Sequence, residues 1–532
     1  MTIEEEGSAS RRIFTIAGTD VRMRLARGST VVVLVALCIL AYVLVPDLST
    51  GRTLMQVNGH RALYNSATIA LATSSLCAVL LGFAGFYLTS NTLRRDVESR
   101  TGFVIASTRV RNIEYLVGKW LGSAAFLGLI VLVYVLNVMA MQLLRGEAPV
   151  EPLTYLAMFA AVVGPVVIVV SAIALMFECV RPLSGRLGDV LYFFLWATLL
   201  SAPAVSTVSS QSGAVSHVDV FGMSFLINAT TEQATADFHA HPEVSIGSSH
   251  FDPAKEPWRF NGVVWTGRIV ESRFTSALLA IPALLIAWLA FARFDPARLK
   301  GGAAGSRSSV RGRLAVPLAS VLRVLRPATW GGPGLLRGAL GEIALTIMLR
   351  PLVFLAIVAA AVAGALAPSA TLRSAVIPIV FVALVATLAE IPTRDRVARV
   401  DGIRNGIAGV RTASIYAKLL AALGLSVAFL LLPLIRVATS SPADALSMLI
   451  GGWLFAAAGV GLGALSRTPK LFAGIALLFL YVVVSSAHAP EFDFAGWNGA
   501  ADNGVRATYF LTAMLFAALA VLGDWRTARA ER

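Results

Sequence analysis

The apolar positions of this chain form long uninterrupted runs instead of the short alternating patterns of a soluble domain. A helix needs about 20 mostly apolar residues to cross roughly 30 Å of hydrocarbon. Twelve segments satisfy this requirement, near residues 30–46, 66–89, 116–143, 153–177, 190–208, 274–292, 351–367, 374–391, 414–437, 444–465, 471–487 and 507–523. A polar stretch rich in Gly, Ser and Arg separates the sixth from the seventh. The pattern therefore predicts an all-α polytopic membrane protein with twelve transmembrane helices, six in each half.

Composition and charge agree with this class and give an orientation. Of the 532 residues, 57% are hydrophobic and 14% are charged, which excludes an ordinary soluble enzyme. The formal net charge of +14 would suggest nucleic acid as the partner of a soluble chain. Here the Lys and Arg residues fall mainly on segments that lie on one side if the N-terminus is cytoplasmic. We therefore expect no nucleic-acid partner, a bilayer environment, and both termini in the cytoplasm.

The predicted spans carry almost no ionisable residue near their middles. Glu178, Asp189 and Glu390 stand at span ends, where water can solvate them. A proton-coupled carrier usually places Asp, Glu or His at mid-membrane, so this class is disfavoured. The only Gly-Lys pair, Gly118-Lys119, lacks the other residues of a phosphate-binding loop. We therefore expect no catalytic residue, cofactor or metal in this chain, and an energy source in a partner.

Two basic loops, each joining the second and third spans of its half, resemble one another. Aligning Arg111–Lys119 with Arg411–Lys418 requires a one-residue gap. Each loop is predicted to be a short amphipathic segment interrupted by Gly on the inner membrane face. A repeated six-helix half and a docking surface for a cytosolic protein explain the recurrence; a loop that serves only orientation is the alternative. The candidate docking residues are Arg94, Arg95, Glu98, Arg100, Gly102, Arg109, Arg111, Tyr115, Gly118 and Lys119 in the first loop, and Arg394, Arg396, Arg404, Arg411, Tyr416 and Lys418 in the second.

The first loop resembles the membrane-spanning permeases of type-2 ABC exporters. The resemblance lies in Arg100, the following Gly102, Thr108-Arg109, and Tyr115-Leu-Val-Gly-Lys119 entering a span; Ala417 replaces the glycine in the second copy. It implies a permease of the bacterial plasma membrane whose inner loops couple to a separate cytosolic ABC ATPase subunit, expected in two copies. ATP and Mg would then bind to that partner. It also implies an amphipathic connecting helix before the first span, for which 9–28 and, in the second half, 335–348 are candidates.

These expectations divide the chain into segments of different role. We predict a cytoplasmic connecting segment at 1–29, a first half at 30–292 with an outer loop at 209–272, a basic cytoplasmic linker at 293–350, a second half at 351–523 and a cytoplasmic tail at 524–532. The linker is interpreted as a tether along the membrane surface, with a regulatory contact to the ATPase as the alternative.

The histidines and cysteines of the sequence give little indication of a metal or reactive site. All six histidines fall on predicted outer segments, at His60, His217, His239, His241, His250 and His488. His239 and His241, with Asp237 and His250, have the residue types of a Zn²⁺ or Cu²⁺ site, but a solvated or packing role is favoured. Cys38, Cys77 and Cys179 are interpreted as small core residues. Two alternatives to an ATP-driven permease stay open: a stand-alone secondary transporter, and a membrane-embedded transferase using Asp237, His239 and Asp252.

Overall fold

The structure is a computed structural model, and it is that of a multi-pass, mainly helical membrane protein. It describes residues 3–26, 28–209, 219–238, 243–292, 294, 334–398, 400, 410–466, 468–485 and 490–530. Within these ranges eight helices are long and apolar enough to cross a membrane, or nine if a pair bent by 99° is counted as one span. The predicted first, fifth and eleventh spans coincide with shorter apolar helices. The mainly helical membrane class is confirmed, whereas the number twelve stays a prediction.

The chain divides into two compact units, Met1–Asp295 and Pro296–Arg532, with the boundary inside the predicted linker. The helices of the first unit are α1 (Ile3–Leu25), α2 (Gly28–Leu44), α3 (Ser66–Thr89), α4 (Thr92–Glu98), α5 (Thr101–Ser107), α6 (Asn112–Arg145), α7 (Pro152–Cys179), α8 (Arg186–Ser209), α9 (Met223–Phe238), α10 (Gly267–Leu278) and α11 (Ala280–Ala290). Helix α10 therefore begins before residue 272, where the outer loop was predicted to end.

The first unit also contains a small antiparallel sheet. Its strands are β1 (Arg52–Val57), β2 (His60–Arg61) and β3 (Val244–His250), in the order β2-β1-β3. The sheet combines the short loop before α3 with the predicted outer loop. An ion pair between Arg61 and Glu147 at 2.7 Å ties it to the segment after α6. The hydrogen bonds from Arg61 lower the pKa of the Glu147 carboxyl, outweighing its partial burial.

The second unit repeats the order of a leading helix followed by apolar helices. Its helices are α12 (Gly334–Leu349), α13 (Pro351–Leu366), α14 (Ile377–Leu388), α15 (Arg394–Val397), α16 (Val410–Ser440), α17 (Pro442–Ser466), α18 (Pro469–Ser485) and α19 (Asn503–Ala530). Helices α12 and α13 form the pair that is bent by 99°. A short turn and a π-helical segment, Leu372–Val376, precede α14. The C-terminal part of the predicted linker is thus a helix of this unit.

The same helix pairs are in contact in both units. In the first, α1 and α2 contact α6, while α3 and α11 contact α7; in the second, α12 and α13 contact α16, while α14 and α19 contact α17. Two arginines make similar contacts near the ends of the third apolar helices. Arg145, near the end of α6, donates to the carbonyls of Tyr42 (2.9 Å) and Val45 after α2. Arg436, near the end of α16, donates to the carbonyls of Gly364 (3.0 Å) and Ala367 (2.6 Å) at the end of α13.

Small residues permit the close packing of the leading helices. A Cβ on Gly118 of α6 would lie 2.9 Å from the Ile16 side chain of α1, and one on Gly122 would lie 3.0 Å from the Ala17 carbonyl oxygen. In the second unit the glycine is on the other helix: a Cβ on Gly338 of α12 would lie 3.0 Å from Ala417 of α16. Both contacts therefore need a small residue, as in other closely packed membrane helices.

Gly122→Ala should destabilise the first unit by about 1–3 kcal/mol, because the new methyl group meets backbone atoms of α1 that cannot rotate away. Gly128→Ala is the matched control on the same helix, since nothing lies within 4 Å of its Cβ position. That variant should be neutral or gain up to about 1 kcal/mol of helix propensity. Thermal unfolding of the purified chain in detergent compares the two, and equal melting temperatures would contradict this packing.

Candidate functional site

The first predicted docking loop consists of two short helices, α4 and α5, that follow α3. The residues before each of them, Asn91 and Arg100, have positive φ angles of 72° and 61°. The break in the segment thus falls at Arg100, although a glycine was predicted to interrupt it. Gly102 lies inside α5, where a Cβ would be 2.6 Å from the Phe294 ring. The glycine allows a close contact, and the arginine makes the turn in a conformation that is costly for a side-chain-bearing residue.

An ionic cluster attaches this segment to α1 and α6. Asp20 of α1 contacts Arg95 of α4 (Oδ1 to Nη2, 2.5 Å) and Lys119 of α6 (Oδ1 to Nζ, 3.4 Å). The Lys119 ammonium lies 2.8 Å from Oδ2 of Asp96, the residue next to Arg95. The Tyr115 hydroxyl donates to the same Asp96 oxygen at 2.6 Å. Two carboxylates and two cations therefore join three separate helices.

Asp20 is the centre of this cluster, and its carboxylate is fully buried. Burial alone would raise the pKa of Asp20, but the charges of Arg24, Lys119 and Arg95, with a hydrogen bond from Arg24, outweigh it and lower the pKa below its usual value. Arg24 pairs with Asp20 at 2.6 Å and donates to the carbonyls of Leu88 (2.9 Å) and Thr89 (3.2 Å). Arg24 thus also supplies hydrogen bonds to the free backbone carbonyl groups at the C-terminal end of α3.

Glu178, at the end of α7, fixes the beginning of α4. Its two carboxylate oxygens accept the backbone N–H groups of Thr92 (2.9 Å) and Leu93 (2.7 Å). A carboxylate at a helix N-terminus satisfies free donors and interacts favourably with the helix dipole. Beneath the segment, an apolar cluster is formed by Leu93, Tyr115, Leu116, Leu175, Cys179, Ala287 and Phe294. The segment is therefore held by charge on one side and by apolar packing on the other.

The second unit has a related cluster. Arg394 at the start of α15 pairs with Glu342 of the leading helix α12 at 3.0 Å, and donates to the Thr346 hydroxyl at 2.8 Å. Lys418 of α16, only 1% exposed, pairs with Asp395 at 2.6 Å. Asp395 and Lys418 are 23 residues apart, the same separation as Asp96 and Lys119. An Arg-Asp pair followed by Lys at the same separation therefore occurs in both units, and aligning the two copies on these residues requires no gap.

This correspondence changes part of the predicted alignment. Without the one-residue gap, Tyr416 does not occupy the position of Tyr115. The Tyr115 side chain is buried and bonded to Asp96, whereas Tyr416 is 45% exposed. Glu114, which precedes Tyr115, forms a two-bond ion pair with Arg12 of α1 at 2.8 and 3.0 Å.

The sixteen predicted docking residues fall into three groups. Arg95, Gly102, Tyr115, Gly118, Lys119, Arg394 and Lys418 are buried or partly buried within the units, in the contacts described above. Arg94, Arg100, Arg109, Arg111, Arg396 and Tyr416 are exposed. Arg404, and the side chains of Glu98 and Arg411, lie outside the described residues. Of the side chains that the structure describes, the exposed group is available to a partner, whereas the buried group shapes the segment.

Several residues of the two ionic clusters were not predicted from the sequence. Asp20, Asp96, Glu342 and Asp395 were not among the candidate residues, although they are the acidic partners of Arg95, Lys119, Arg394 and Lys418. The equal separation of Asp96–Lys119 and Asp395–Lys418 was the available signal. Glu178 and Glu390 were expected to be solvated at span ends. Glu178 instead caps α4, and Glu390 pairs with Arg350.

Most of the histidines of the predicted outer segments lie outside the described residues. His217, His239, His241 and His488 lie outside the described residues, as does the side chain of His250. Among the described residues no group of three His, Cys, Asp or Glu side chains could hold a metal ion. Asp237 accepts the indole N–H of Trp258 at 2.8 Å, a packing contact. Cys77 and Cys179 are buried as expected, but Cys38 is exposed on α2.

The two clusters should differ in how they respond to loss of the lysine. Lys418→Met leaves a carboxylate without its closest cation and should cost about 3–5 kcal/mol. Asp395→Asn in the same chain should recover more than half of that loss. Lys119→Met should be recovered less by Asp96→Asn, because Asp20 also loses a cation. Melting temperatures of the single and double variants test this, and equal recovery in both units would contradict the assigned pairs.

The lowered pKa of Asp20 predicts a loss of stability in acid. The folded state keeps this carboxylate charged where the unfolded chain binds a proton, so its contribution is complete above the usual pKa of 3.8 and declines as the pH falls through the lower folded value. The melting temperature of the native chain should therefore fall more steeply on acidification than that of Asp20→Asn. Parallel curves for the two proteins below about pH 4 would contradict this assignment.

This chain matches no protein-family model, no curated protein and no solved structure. The clusters are therefore interpreted from their own chemistry. Each brings carboxylates and cations into direct pairs, and in the first unit the remaining oxygens accept hydrogen bonds. Such an arrangement can hold a surface segment firmly on the ends of apolar helices, because separating buried partners is costly. Short helix α5 then presents an exposed surface at a fixed position.

Proposed function

We propose that this chain is the transmembrane permease subunit of an ATP-driven ABC transporter, which exports a substrate across the bacterial plasma membrane with a separate ATPase subunit. The observation that carries the proposal is the ionic attachment of the segment after the second apolar helix to the leading helix and the third apolar helix, in both units. A permease moved by a partner needs such a rigid contact, since a force applied to a loose loop would be absorbed by the loop.

The exposed part of the first segment has the chemistry of a protein-docking surface. Phe103 and Val104 of α5 are 41% and 66% exposed, and the exposed Arg100 and Arg109 flank them. Apolar contacts surrounded by charge are typical of specific protein interfaces. In the proposed complex two cytosolic ATPase subunits bind ATP and Mg, approach one another, and displace α5 together with α1 and α6.

The proposal includes the finer architecture predicted from sequence. Each unit would provide six spans, giving twelve, with both termini in the cytoplasm and the ionic clusters on the inner face. The recurring helix contacts and the similar contacts of Arg145 and Arg436 support two copies of one six-helix design. Export is expected from the resemblance to type-2 exporters, and the basic residues of the inner segments support the orientation.

Charge reversal on the exposed surface tests the docking role. Arg100→Glu with Arg109→Glu should reduce the ATPase activity that copurifies from native membranes by about tenfold, because it removes cations at an interface and introduces repulsion. The same variant should keep the melting temperature of the isolated chain within a few degrees, since neither guanidinium is buried. The measurement is ATP hydrolysis in the eluate, normalised to the amount of permease.

Arg22→Glu is the matched control, because Arg22 is exposed on α1 but lies outside the α4–α5 segment. It should retain the copurifying activity. Recovery of an ATPase with the double variant at the native level would contradict docking at α5. Failure to recover any nucleotide-binding subunit with the native chain would contradict the proposed function itself.

A further inference from the structure

The segment between α8 and α10 of the first unit enters the helix bundle. The turn that precedes α9, Asp219–Gly222, which we call the tip, carries a Phe221 side chain that is only 1% exposed. A Cβ on Gly82 of α3 would collide with the Phe221 ring, so the ring occupies the space that this glycine leaves. A Cβ on Gly222 would lie 3.6 Å from the Val162 side chain of α7. The tip is therefore buried against α3 and α7.

The tip lies deep along α3, whereas the other end of α9 lies near the start of that helix. Gly82 stands about 24 Å from the first residue of α3, at a rise of 1.5 Å per residue. Helix α9, with 16 residues, is also about 24 Å long. At its far end Asp237 accepts the indole N–H of Trp258 at 2.8 Å. The nearby Phe260 carbonyl accepts from Asn65, the residue before α3, at 2.8 Å.

The chain reaches this depth from the same side to which α9 returns. Helix α8 runs along α3 in the opposite direction, because the Tyr192 hydroxyl donates to the Gly82 carbonyl. One turn later the Trp196 indole donates to the Val79 carbonyl at 3.2 Å. From there α8 continues to Ser209, about 20 Å further toward the level at which α3 begins. Since the tip is again beside Gly82, the tip and α9 form a re-entrant segment.

Asp219 satisfies the backbone of the tip inside the bundle. Its Oδ1 accepts the Met223 N–H at 2.9 Å, and its Oδ2 accepts the Ser224 N–H at 2.7 Å. Its own N–H donates to the Ser276 hydroxyl of α10 at 2.9 Å. Backbone groups in apolar surroundings need such partners, because water does not supply them there. The tip is thus stable among apolar helices as long as it is docked.

The docked tip also covers an arginine whose donors it leaves unsatisfied. Arg273 of α10 is 6% exposed, and its Nε and Nη1 have no hydrogen-bond partner in the described part of the chain. A Cβ on Gly222 would lie 3.1 Å from Nη1, and Asp219 Oδ2 lies 3.5 Å from Nη2, beyond good hydrogen-bond length. Buried donors without acceptors cost free energy, which opposes the gain from burying the Phe221 ring.

A related turn in the second unit has an arginine that is satisfied. The Gly496 N–H donates to the Asp493 carbonyl at 3.4 Å, and this glycine has a φ of 67°. The tip has the same bond at 3.2 Å and a glycine φ of 74°. Arg373 donates to the Gly496 carbonyl at 3.2 Å and to Asp444 at 2.9 Å. The arginine thus holds the second turn, whereas Arg273 forms no hydrogen bond with the residues of the tip.

We propose that the tip and α9 form a gate of the first unit, which alternates between this docked position and a withdrawn position open to water. Docking buries the Phe221 ring and withdrawal hydrates the Arg273 guanidinium, so each position favours one of the two groups. Withdrawal uncovers the faces of α3, α7 and α10 that the tip covers. This movement goes beyond the proposed function, because it belongs to the first unit and requires no partner.

The test is the rate at which a water-soluble maleimide labels the tip of the full-length chain in detergent. Val220→Cys supplies the thiol at a position that is 1% exposed, and Cys38→Ser removes the exposed native cysteine. Buried Cys77 of α3 reports global unfolding in the same molecule. With each rate normalised to that in the denatured chain, Val220→Cys should react about tenfold faster than Cys77 or more, because the tip opens locally. Labelling at the Cys77 rate overturns the proposal.

Removal of the Phe221 ring should favour the withdrawn position. Phe221→Ala should accelerate labelling of Val220→Cys about fivefold or more without accelerating that of Cys77. Phe238→Ala is the matched control, because it removes the same side chain at the other end of α9, and it should leave the rate unchanged. Equal rates in the two variants overturn the proposal. If Phe221→Ala does not fold, Gly82→Ala replaces it, since its methyl group displaces the ring; an unchanged rate there overturns the proposal equally.

The second turn provides a comparison within the same chain. Ala495→Cys places a thiol beside Gly496, at a position that is fully buried in the native protein. This thiol should react as slowly as Cys77, because Arg373 bonds the turn to its unit. Labelling of Ala495→Cys as fast as that of Val220→Cys overturns the proposal, because the unsatisfied arginine would then not distinguish the two turns.

Discussion

The pairing of buried charge at helix ends is the constraint on which the described structure depends. A chain that is 57% hydrophobic can place few charges in its apolar helices, so its ionisable side chains concentrate where these helices end. There they are partly removed from water, and each needs a partner. Asp20 meets this requirement with Arg24, Arg95 and Lys119 together, and in doing so fixes α1, α4 and α6 relative to one another. Charge pairing, more than loop length, therefore decides where the segment after α3 lies.

The two units preserve contacts more faithfully than they preserve residues. An acidic side chain on the leading helix contacts the Arg of an Arg-Asp pair in both, but it is Asp20 in one and Glu342 in the other. The close approach of leading and third helices also recurs, with Gly118 on the third helix in the first unit and Gly338 on the leading helix in the second. What is kept is the close approach of the two helices, and either partner can supply the small residue. A comparison of the sequences alone aligns Ala417 with Gly118 and suggests that a glycine is missing, although the two helices still pack closely.

The sequence was sufficient to predict the helices, but it was insufficient to predict which of their side chains are exposed. Within the described residues each of the twelve apolar runs lies mainly in helix, as expected of a backbone that must satisfy its own hydrogen bonds in an apolar environment. The basic residues of the two loops, however, look alike in sequence. Arg95 is engaged with Asp20 while its neighbours Arg94 and Arg100 are exposed, and only the direction of each side chain from a seven-residue helix separates them. The acids of α1 and α12 that define these directions lie tens of residues away, where no local pattern connects them to the loop.

A segment held in this way behaves mechanically as part of its unit. To shift α4 and α5 independently, the Asp20–Arg95 pair, the Asp96–Lys119 pair and the Glu178 cap must separate together, and each would expose a buried charge or free helix donors. Moving the segment together with α1, α6 and α7 breaks none of these contacts. Close packing of Gly118 and Gly122 against α1 adds the same restriction, since packed interiors transmit displacement and do not absorb it. A force on the exposed face of α5 would therefore reach the third apolar helix, α6, which is what a partner-driven rearrangement of a membrane bundle requires.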